Sequence, residues 1–122
     1  MAIIDERYVR LETFKSNGDA AATPVWIAEL EGRPVVITDR DSFKAKRLRR
    51  DQRIRLTPCN VNGKRTLGET LEGKGRVVED PAFVERARRA IRAKYGLQAR
   101  LIELFKRLRG AQDTWCALEL QL

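Results

Sequence analysis

The chain has 122 residues and a net charge of +8, and 43% of its residues are hydrophobic. This length and composition predict one soluble globular domain over residues 1–122, which can bury a core without disulfides or metal. The sequence contains no His, which excludes His-dependent catalytic triads, His-ligated metals and histidine acid–base catalysis. An enzyme built from this chain would therefore take its reactive group from the substrate, the solvent or a cofactor.

The positive charge is concentrated in the later part of the chain. Residues 1–41 carry five basic and eight acidic residues, a net −3, whereas residues 42–122 carry a net +11. The densest run, from Lys44 to Arg55, holds seven bases and one acid. Such a run attracts phosphate-bearing partners, but it does not distinguish a nucleic acid from a small phosphorylated cofactor.

Cys59 and Cys116 lie far apart in the sequence and have no metal-ligand spacing. They predict two buried thiols in a protein of the reducing cytoplasm. No stretch approaches the ~18 apolar residues of a membrane-spanning helix. The first residues contain the acidic pair Asp5–Glu6 and do not resemble a signal peptide. We therefore expect a cytoplasmic protein that does not enter a membrane.

Three strands are predicted first, at residues 8–14, 20–30 and 33–38. In the first strand apolar and charged residues alternate, and Asn17-Gly18 after it favours a tight hairpin turn. Pro24 removes one ladder donor from the second strand, so it marks a bend, a bulge or a sheet edge.

A short basic helix over residues 43–50 follows, and then strands at 53–59 and 65–79. Gly68, Gly73 and Gly75 in the last of these are spaced as in a bent or bulged barrel strand. Asp80-Pro81 is a typical helix start, and Gly96 ends that helix. A second helix carries a stripe of large apolar residues before Gly110, and residues 115–122 close the chain as a strand. The stripe comprises Leu97, Leu101, Leu104, Phe105 and Leu108.

This order of elements predicts a mainly β fold with helices (α+β). Consecutive strands joined by tight turns indicate an antiparallel sheet, and six strands of this length favour a small closed barrel whose open ends the helices cover. The sequence shows neither internal repeats nor low-complexity segments.

The clearest chemical signal lies in residues 35–56. A buried strand runs into Thr38 and Ser42, and a short helix carrying Lys44 begins there. A helix N-terminus flanked by hydroxyls and an ammonium makes a phosphate site. Asp39 and Asp41 oppose anion binding unless they point away or are paired. The same stretch also fits a solvated basic helix face.

Residues 7–109 resemble the split β-barrel flavin-binding superfamily, which includes pyridoxamine 5′-phosphate oxidase and flavin- or deazaflavin-dependent oxidoreductases. The most similar branch is the small "PPOX class" of enzymes assigned to the deazaflavin coenzyme F420. Three pieces carry the resemblance in this order: Thr23-Pro24-Val25-Trp26, the helix Ser42–Arg50 before Arg53-Ile54-Arg55-Leu56, and Glu72-Gly73-Lys74-Gly75 before Asp80-Pro81. The resemblance implies a six-stranded split barrel of the FMN-binding type, flanked by a short helix and a C-terminal helix pair.

The resemblance also implies the residues of a cofactor site at a homodimer interface. The strand against the cofactor ring corresponds to Pro24, Val25 and Trp26. The phosphate grip corresponds to Thr38, Ser42 and Lys44, with Lys46 and Arg50 as additional basic residues. No catalytic side chain is implied, because a flavin or deazaflavin carries hydride chemistry in its own ring. Trp26 fits an ordinary place in the barrel core equally well.

The expected function is therefore hydride transfer between FMN or F420 and an unidentified small molecule, in a homodimer. The surplus of Arg suits the oligoglutamate tail of F420, but the sequence leaves the two cofactors open. A non-catalytic barrel that carries a flavin, a deazaflavin or haem is the alternative, although the usual His ligand of haem is missing. Nucleic-acid binding is less favoured, because no aromatic residue lies between Lys44 and Arg55 to stack on bases.

Overall fold

A computed structural model describes residues 3–108 and 114–122 of the chain. It contains seven strands and three helices within these residues. In chain order they are β1 (Val9–Phe14), β2 (Ala20–Val25), β3 (Ala28–Leu30), β4 (Arg33–Asp39), α1 (Phe43–Arg50), β5 (Arg53–Pro58), β6 (Leu71–Val78), α2 (Pro81–Tyr95), α3 (Leu97–Leu108) and β7 (Trp115–Gln121). A 3-10 turn, Ile3–Asp5, precedes β1.

All seven strands form one antiparallel sheet in the order β2-β1-β5-β6-β7-β4-β3. The predicted mainly β fold with flanking helices is confirmed, but the count of six strands is wrong. The expected strand over residues 20–30 is two strands, because the chain changes partner at Trp26 and Ile27. Up to Val25 it pairs with β1, and from Ala28 it pairs with β4.

The two edge strands of this sheet are joined by only two residues. β2 and β3 stand at opposite edges, yet β2 ends at Val25 and β3 begins at Ala28. A connection this short spans about 10 Å even when extended. The sheet must therefore curl until its edges meet at this corner, which produces the split barrel.

The predicted strand over residues 65–79 is shorter than expected. Regular pairing begins at Leu71, and the segment before it is a loop held by an isolated bridge between Cys59 and Thr66. Gly68 thus lies in a loop, whereas Gly73 and Gly75 lie in β6. Residues 65–70 make backbone hydrogen bonds to residues 58–60, but these bonds do not continue as a regular ladder.

Two hydrophobic clusters lie on opposite faces of the sheet. The first fills the barrel interior, where Leu11, Leu56 and Leu118 meet Ala45 and Leu48 of α1. The second lies outside, where α2 covers β3, β4 and β7, with these buried members: Ala28, Val35, Val84, Ala87, Ile91, Tyr95, Ala99 and Ala117. Among the described helices, only α1 packs into the barrel interior. α2 lies against the outer face of the sheet and does not cover an open end.

The described residues of the apolar stripe predicted on the last helix are exposed and do not face the core. Leu97, Leu101 and Leu104 are between 48% and 71% exposed, and Ala99 is the buried residue of α3. The side chains of Phe105 and Leu108, and Gly110, lie outside the described residues. In the described part of the chain, no helix combines the length and the apolar character that crossing a membrane requires.

Gly73 provides a test of the sheet geometry. A Cβ atom there would overlap the backbone carbonyl oxygen of Gln121, which cannot rotate away as a side chain could. We expect Gly73→Ala to lower the free energy of unfolding by about 1–3 kcal/mol, measured by urea denaturation. Glu72→Ala, an exposed neighbour on the same strand, is the control. An equal effect of both substitutions would contradict this packing.

Candidate functional site

A cavity of about 320 Å³ lies between the closing corner of the barrel and the helices α2 and α3. Most of its surface is apolar, with Ile37 from β4, Ile91 from α2 and Ile102 from α3. Thr38, Lys44, Arg88 and Glu103 contribute its polar groups, together with the phenol of Tyr8. The cavity is thus an apolar cleft with charged groups at two walls, the common form of a small-molecule site.

The predicted ring strand lies at this cavity. Pro24, Val25 and Trp26 all line it. The indole of Trp26 also stacks on the phenol ring of Tyr95, with the ring centroids 4.4 Å apart and the planes within 8° of each other. Trp26 therefore belongs to both of the settings that the sequence left open: it packs against the core and forms a cavity wall.

The predicted phosphate residues come together at the beginning of α1. Ser42 caps the helix, because its hydroxyl oxygen accepts a hydrogen bond from the Ala45 N–H at 3.2 Å. The same oxygen accepts from the Thr38 hydroxyl, also at 3.2 Å. Thr38 and Lys44 line the cavity, and Ser42 is one hydrogen bond behind Thr38. The hydroxyl proton of Ser42 has no acceptor among the described residues.

Lys44 is the most informative member of this group. Its side chain is half-buried at the cavity, and no carboxylate or carbonyl of the described residues pairs with its ammonium. Burial lowers the pKa of Lys44 below 10.5, and the nearby Arg47 charge lowers it further. A half-buried ammonium without a counter-ion favours an anionic ligand, which would replace its lost hydration.

Of the two acidic residues beside this site, Asp39 is engaged through its carboxylate in the turn before α1, whereas Asp41 is exposed. One Asp39 oxygen accepts the Asp41 backbone N–H at 3.1 Å, and the other accepts the Thr114 hydroxyl at 3.2 Å. Neither carboxylate lines the cavity. The objection that these acids raise against an anion site is thereby weakened.

Lys46 and Arg50 do not line the cavity. Lys46 is exposed and lies 5.8 Å from the ring centroid of Phe43. Arg50 lies at the other end of α1, where it donates a hydrogen bond to the Phe14 carbonyl at 2.6 Å. Their roles as additional phosphate ligands stay predictions.

The sequence did not predict that α2 and α3 form one wall of the cavity. Arg88 is one of several arginines on α2, but its side chain is only 18% exposed, it lines the cavity, and its guanidinium lies 3.5 Å from the Glu103 carboxylate. Arg92 holds the same carboxylate through two hydrogen bonds of 2.9 and 3.1 Å. The apolar stripe of α2 indicates which side faces inward, but no local signal places that side beside Trp26.

The fold also brings aromatic rings to the basic run. Phe43 is 72% exposed, and Arg47 lies over its ring at 5.5 Å. Arg53 and Arg55 lie 4.7 and 5.2 Å from the ring of Phe14. Phe43 directly precedes this run in the sequence, and Phe14 reaches it only through the fold, so the run has aromatic neighbours although none lies between Lys44 and Arg55.

The residues present at the cavity suit a planar ligand that carries a phosphate. The apolar walls and Trp26 offer packing for a ring, while Thr38, Ser42 and Lys44 offer donors to an anion. Fold and cleft together therefore define a split β-barrel of the FMN-binding type. The chain belongs to the pyridoxamine 5′-phosphate oxidase family, whose model matches residues 2–116.

Solved structures with this fold include proteins of different descriptions. The conserved hypothetical protein Rv2991 from Mycobacterium tuberculosis is 20% identical, with a TM-score of 0.72 over 96% of this chain and 73% of that one. The haem storage protein HutZ from Vibrio cholerae is 11% identical, with a TM-score of 0.67 over 96% and 82%. A haem binding protein from Mycobacterium smegmatis is 19% identical, with a TM-score of 0.60 over 96% and 46%. The comparison with curated proteins gives no match.

The lowered pKa of Lys44 makes a prediction for the ligand-free protein. Between that lowered pKa and 10.5 the unfolded chain binds more protons at this residue than the folded one, so stability should rise with pH. Lys44→Met lacks this pH-dependent contribution to the free energy of unfolding. The free energy of unfolding of the wild type relative to that variant should therefore increase as pH rises. Urea denaturation at a series of pH values up to 10.5 measures the difference.

Lys46→Met is the control for this experiment, because it removes the same charge from the exposed side of the same helix. A stability difference between wild type and Lys44→Met that stays constant over the whole range would contradict the burial of this ammonium.

Proposed function

We propose that the protein binds FMN or the deazaflavin coenzyme F420 in the cavity described above. The half-buried ammonium of Lys44, which has no counter-ion among the described residues, carries this proposal. It would hold the phosphate together with the hydroxyls of Thr38 and Ser42. The ring system would pack on Pro24 and Trp26. Membership of the pyridoxamine 5′-phosphate oxidase family supports a phosphorylated ligand of this kind.

The proposed activity is that of an oxidoreductase acting on an unidentified small molecule. The bound cofactor would supply hydride transfer from its own ring, and the chain would bind it, orient it and exclude water. Apolar side chains at the cavity, such as Ile37 and Ile102, suit water exclusion. Arg88 and Glu103, which pair with each other on the helical wall, would give a polar substrate charged groups to contact. Acceleration of the reoxidation of reduced, bound cofactor by added acceptors would separate an enzyme from a carrier.

We also propose a homodimer. The support is the row of Leu97, Leu101 and Leu104 along α3, whose side chains are 48–71% exposed in the single chain. Apolar side chains aligned at this spacing on one helix are common at subunit contacts. Light scattering coupled to size-exclusion chromatography, with and without cofactor, tests this proposal, and a monomeric mass under both conditions would overturn it.

The ligand proposal is tested by titrating the purified protein with FMN, riboflavin and F420. Riboflavin carries the ring of FMN without the phosphate, so its affinity reports only on the contacts made with the ring. We expect Lys44→Ala to weaken FMN binding by about tenfold or more, which is the scale of a hydrogen bond to a charged group. Its effect on riboflavin should be small. Fluorescence quenching of the flavin measures both affinities.

Lys46→Ala is the matched control, since it removes an equal charge two residues away and outside the cavity. Equal losses for Lys44→Ala and Lys46→Ala would replace a specific phosphate contact with general attraction by the basic helix. Failure of the wild type to bind any of the three ligands would overturn the proposal. Tight, steeply salt-dependent binding of an oligonucleotide under the same conditions would favour a nucleic-acid partner instead.

A second candidate is a non-catalytic barrel that carries haem. HutZ and the Mycobacterium smegmatis protein, which share the fold, are described as haem storage and haem binding proteins. This sequence has no His, and Tyr8 is the described cavity residue whose side chain can ligate haem iron. If haem is the ligand, haemin should produce a sharpened Soret band that Tyr8→Phe abolishes. An unchanged haemin spectrum in the presence of the wild-type protein would exclude this candidate.

A further inference from the structure

The short connection that closes the barrel is held by two side chains at the end of α2. The backbone N–H of Ile27 donates to the Tyr95 hydroxyl at 2.9 Å. The carbonyl of Ile27 accepts from the Lys94 ammonium at 2.7 Å. Both backbone polar groups of Ile27 are therefore bound at the point where the chain leaves one sheet edge for the other.

The same two side chains also bind the segment that precedes β1. The Lys94 ammonium donates to the carbonyls of Ile4 at 2.7 Å and Glu6 at 2.5 Å. The Tyr95 hydroxyl donates to the carbonyl of Arg7 at 2.7 Å. With the Ile27 carbonyl, all three ammonium donors of Lys94 have backbone acceptors. We name this pair of side chains, Lys94 and Tyr95, the corner clasp.

The corner clasp also determines the plane of one cavity wall. The Tyr95 ring lies parallel to the Trp26 indole with a centroid separation of 4.4 Å, and Tyr95 is only 3% exposed. A ring that is packed this tightly cannot turn without displacing α2. Trp26 lines the cavity, whereas neither Lys94 nor Tyr95 does.

We propose that Lys94 and Tyr95 are positioning residues, which hold the Trp26 indole in a preset plane for a planar ring bound in the cavity. The inference rests on the proposed function for the identity of that ring. A wall that is already ordered before binding costs the ligand less conformational entropy, so it raises affinity without touching the ligand. Loss of the clasp should therefore weaken the ring contact and leave the phosphate contact as it was.

The ligand-free protein provides the first arm of the test. Tyr95→Phe keeps the stacked ring and removes the hydroxyl, and Lys94→Met removes the ammonium. In both variants we expect the Ile27 amide to exchange with solvent about tenfold faster or more, because its corner loses hydrogen bonds. In Lys94→Met, which keeps the Tyr95 chromophore, we also expect the near-UV circular dichroism of the Trp26–Tyr95 pair to change. Hydrogen exchange followed by NMR and circular dichroism measure these effects.

Arg89→Met is the matched control, because it removes one positive charge from an exposed position on the same helix. It should leave both signals unchanged. If the two clasp variants exchange the Ile27 amide no faster than Arg89→Met does, and Lys94→Met keeps the wild-type near-UV circular dichroism, the inference is overturned.

The second arm uses FMN and riboflavin, well below the unfolding temperature of each variant. Tyr95→Phe and Lys94→Met should lower the affinity for both ligands by the same factor, about fivefold or more. They should also alter the visible circular dichroism of the bound flavin. Lys44→Ala should lower the affinity for FMN alone. Clasp variants that bind riboflavin as tightly as the wild type would overturn the inference.

The failure of the proposed function would be a different result. A wild-type protein that binds neither flavin overturns the cofactor proposal, and the ligand-free arm then decides whether the corner clasp orders Trp26. A merely structural role would lower the unfolding temperature of Lys94→Met without changing its near-UV circular dichroism or its flavin affinity measured in the cold.

Discussion

The barrel depends on the connection of two residues between its edge strands. Trp26 and Ile27 are too few to cross an open seven-stranded sheet, so the sheet closes on itself at this corner. The backbone polar groups at such a corner need partners, and Lys94 and Tyr95 provide them. α2 is thereby tied to the corner by its last turn. The preceding turns of α2 place Arg88 and Ile91 at the cleft. The contacts that hold the closing corner of the barrel therefore also position the helical wall of the cavity.

A second packing constraint orients the charged side of the cleft. Leu48 of α1 is buried in the barrel interior, and Lys44 lies one turn earlier on the same side of the helix. The burial of Leu48 therefore draws the Lys44 side chain toward the cavity, while Lys46 stays exposed. The Ser42 cap begins α1 shortly after β4 ends, and its hydroxyl accepts a hydrogen bond from Thr38, which lines the cavity together with Lys44. Ordinary core packing thus places Lys44 and Thr38 at the cavity where we propose that an anion binds.

Local sequence signals were sufficient for much of the fold and for part of the site. The Asn17-Gly18 turn and the Asp80-Pro81 helix start are each decided by one or two residues, and the structure contains both. The strand at residues 20–30 was wrong because strand pairing is not local: nothing near Trp26 in the sequence reveals a change of partner. The placement of Arg88 was missed for the same reason, since an amphipathic helix indicates an inner face but not the surface that it meets.

The sequence by itself determined which functional groups this protein has. It lacks imidazole, it carries a basic run after residue 42, and hydroxyl side chains precede a short helix. It also determined the family resemblance, which the match over residues 2–116 bears out. The tertiary structure decided which of many basic residues faces a cavity, that Trp26 serves the core and the cavity together, and that Lys94 and Tyr95 order it. Residue type and spacing act through near neighbours along the chain, whereas these decisions depend on contacts between segments more than sixty residues apart.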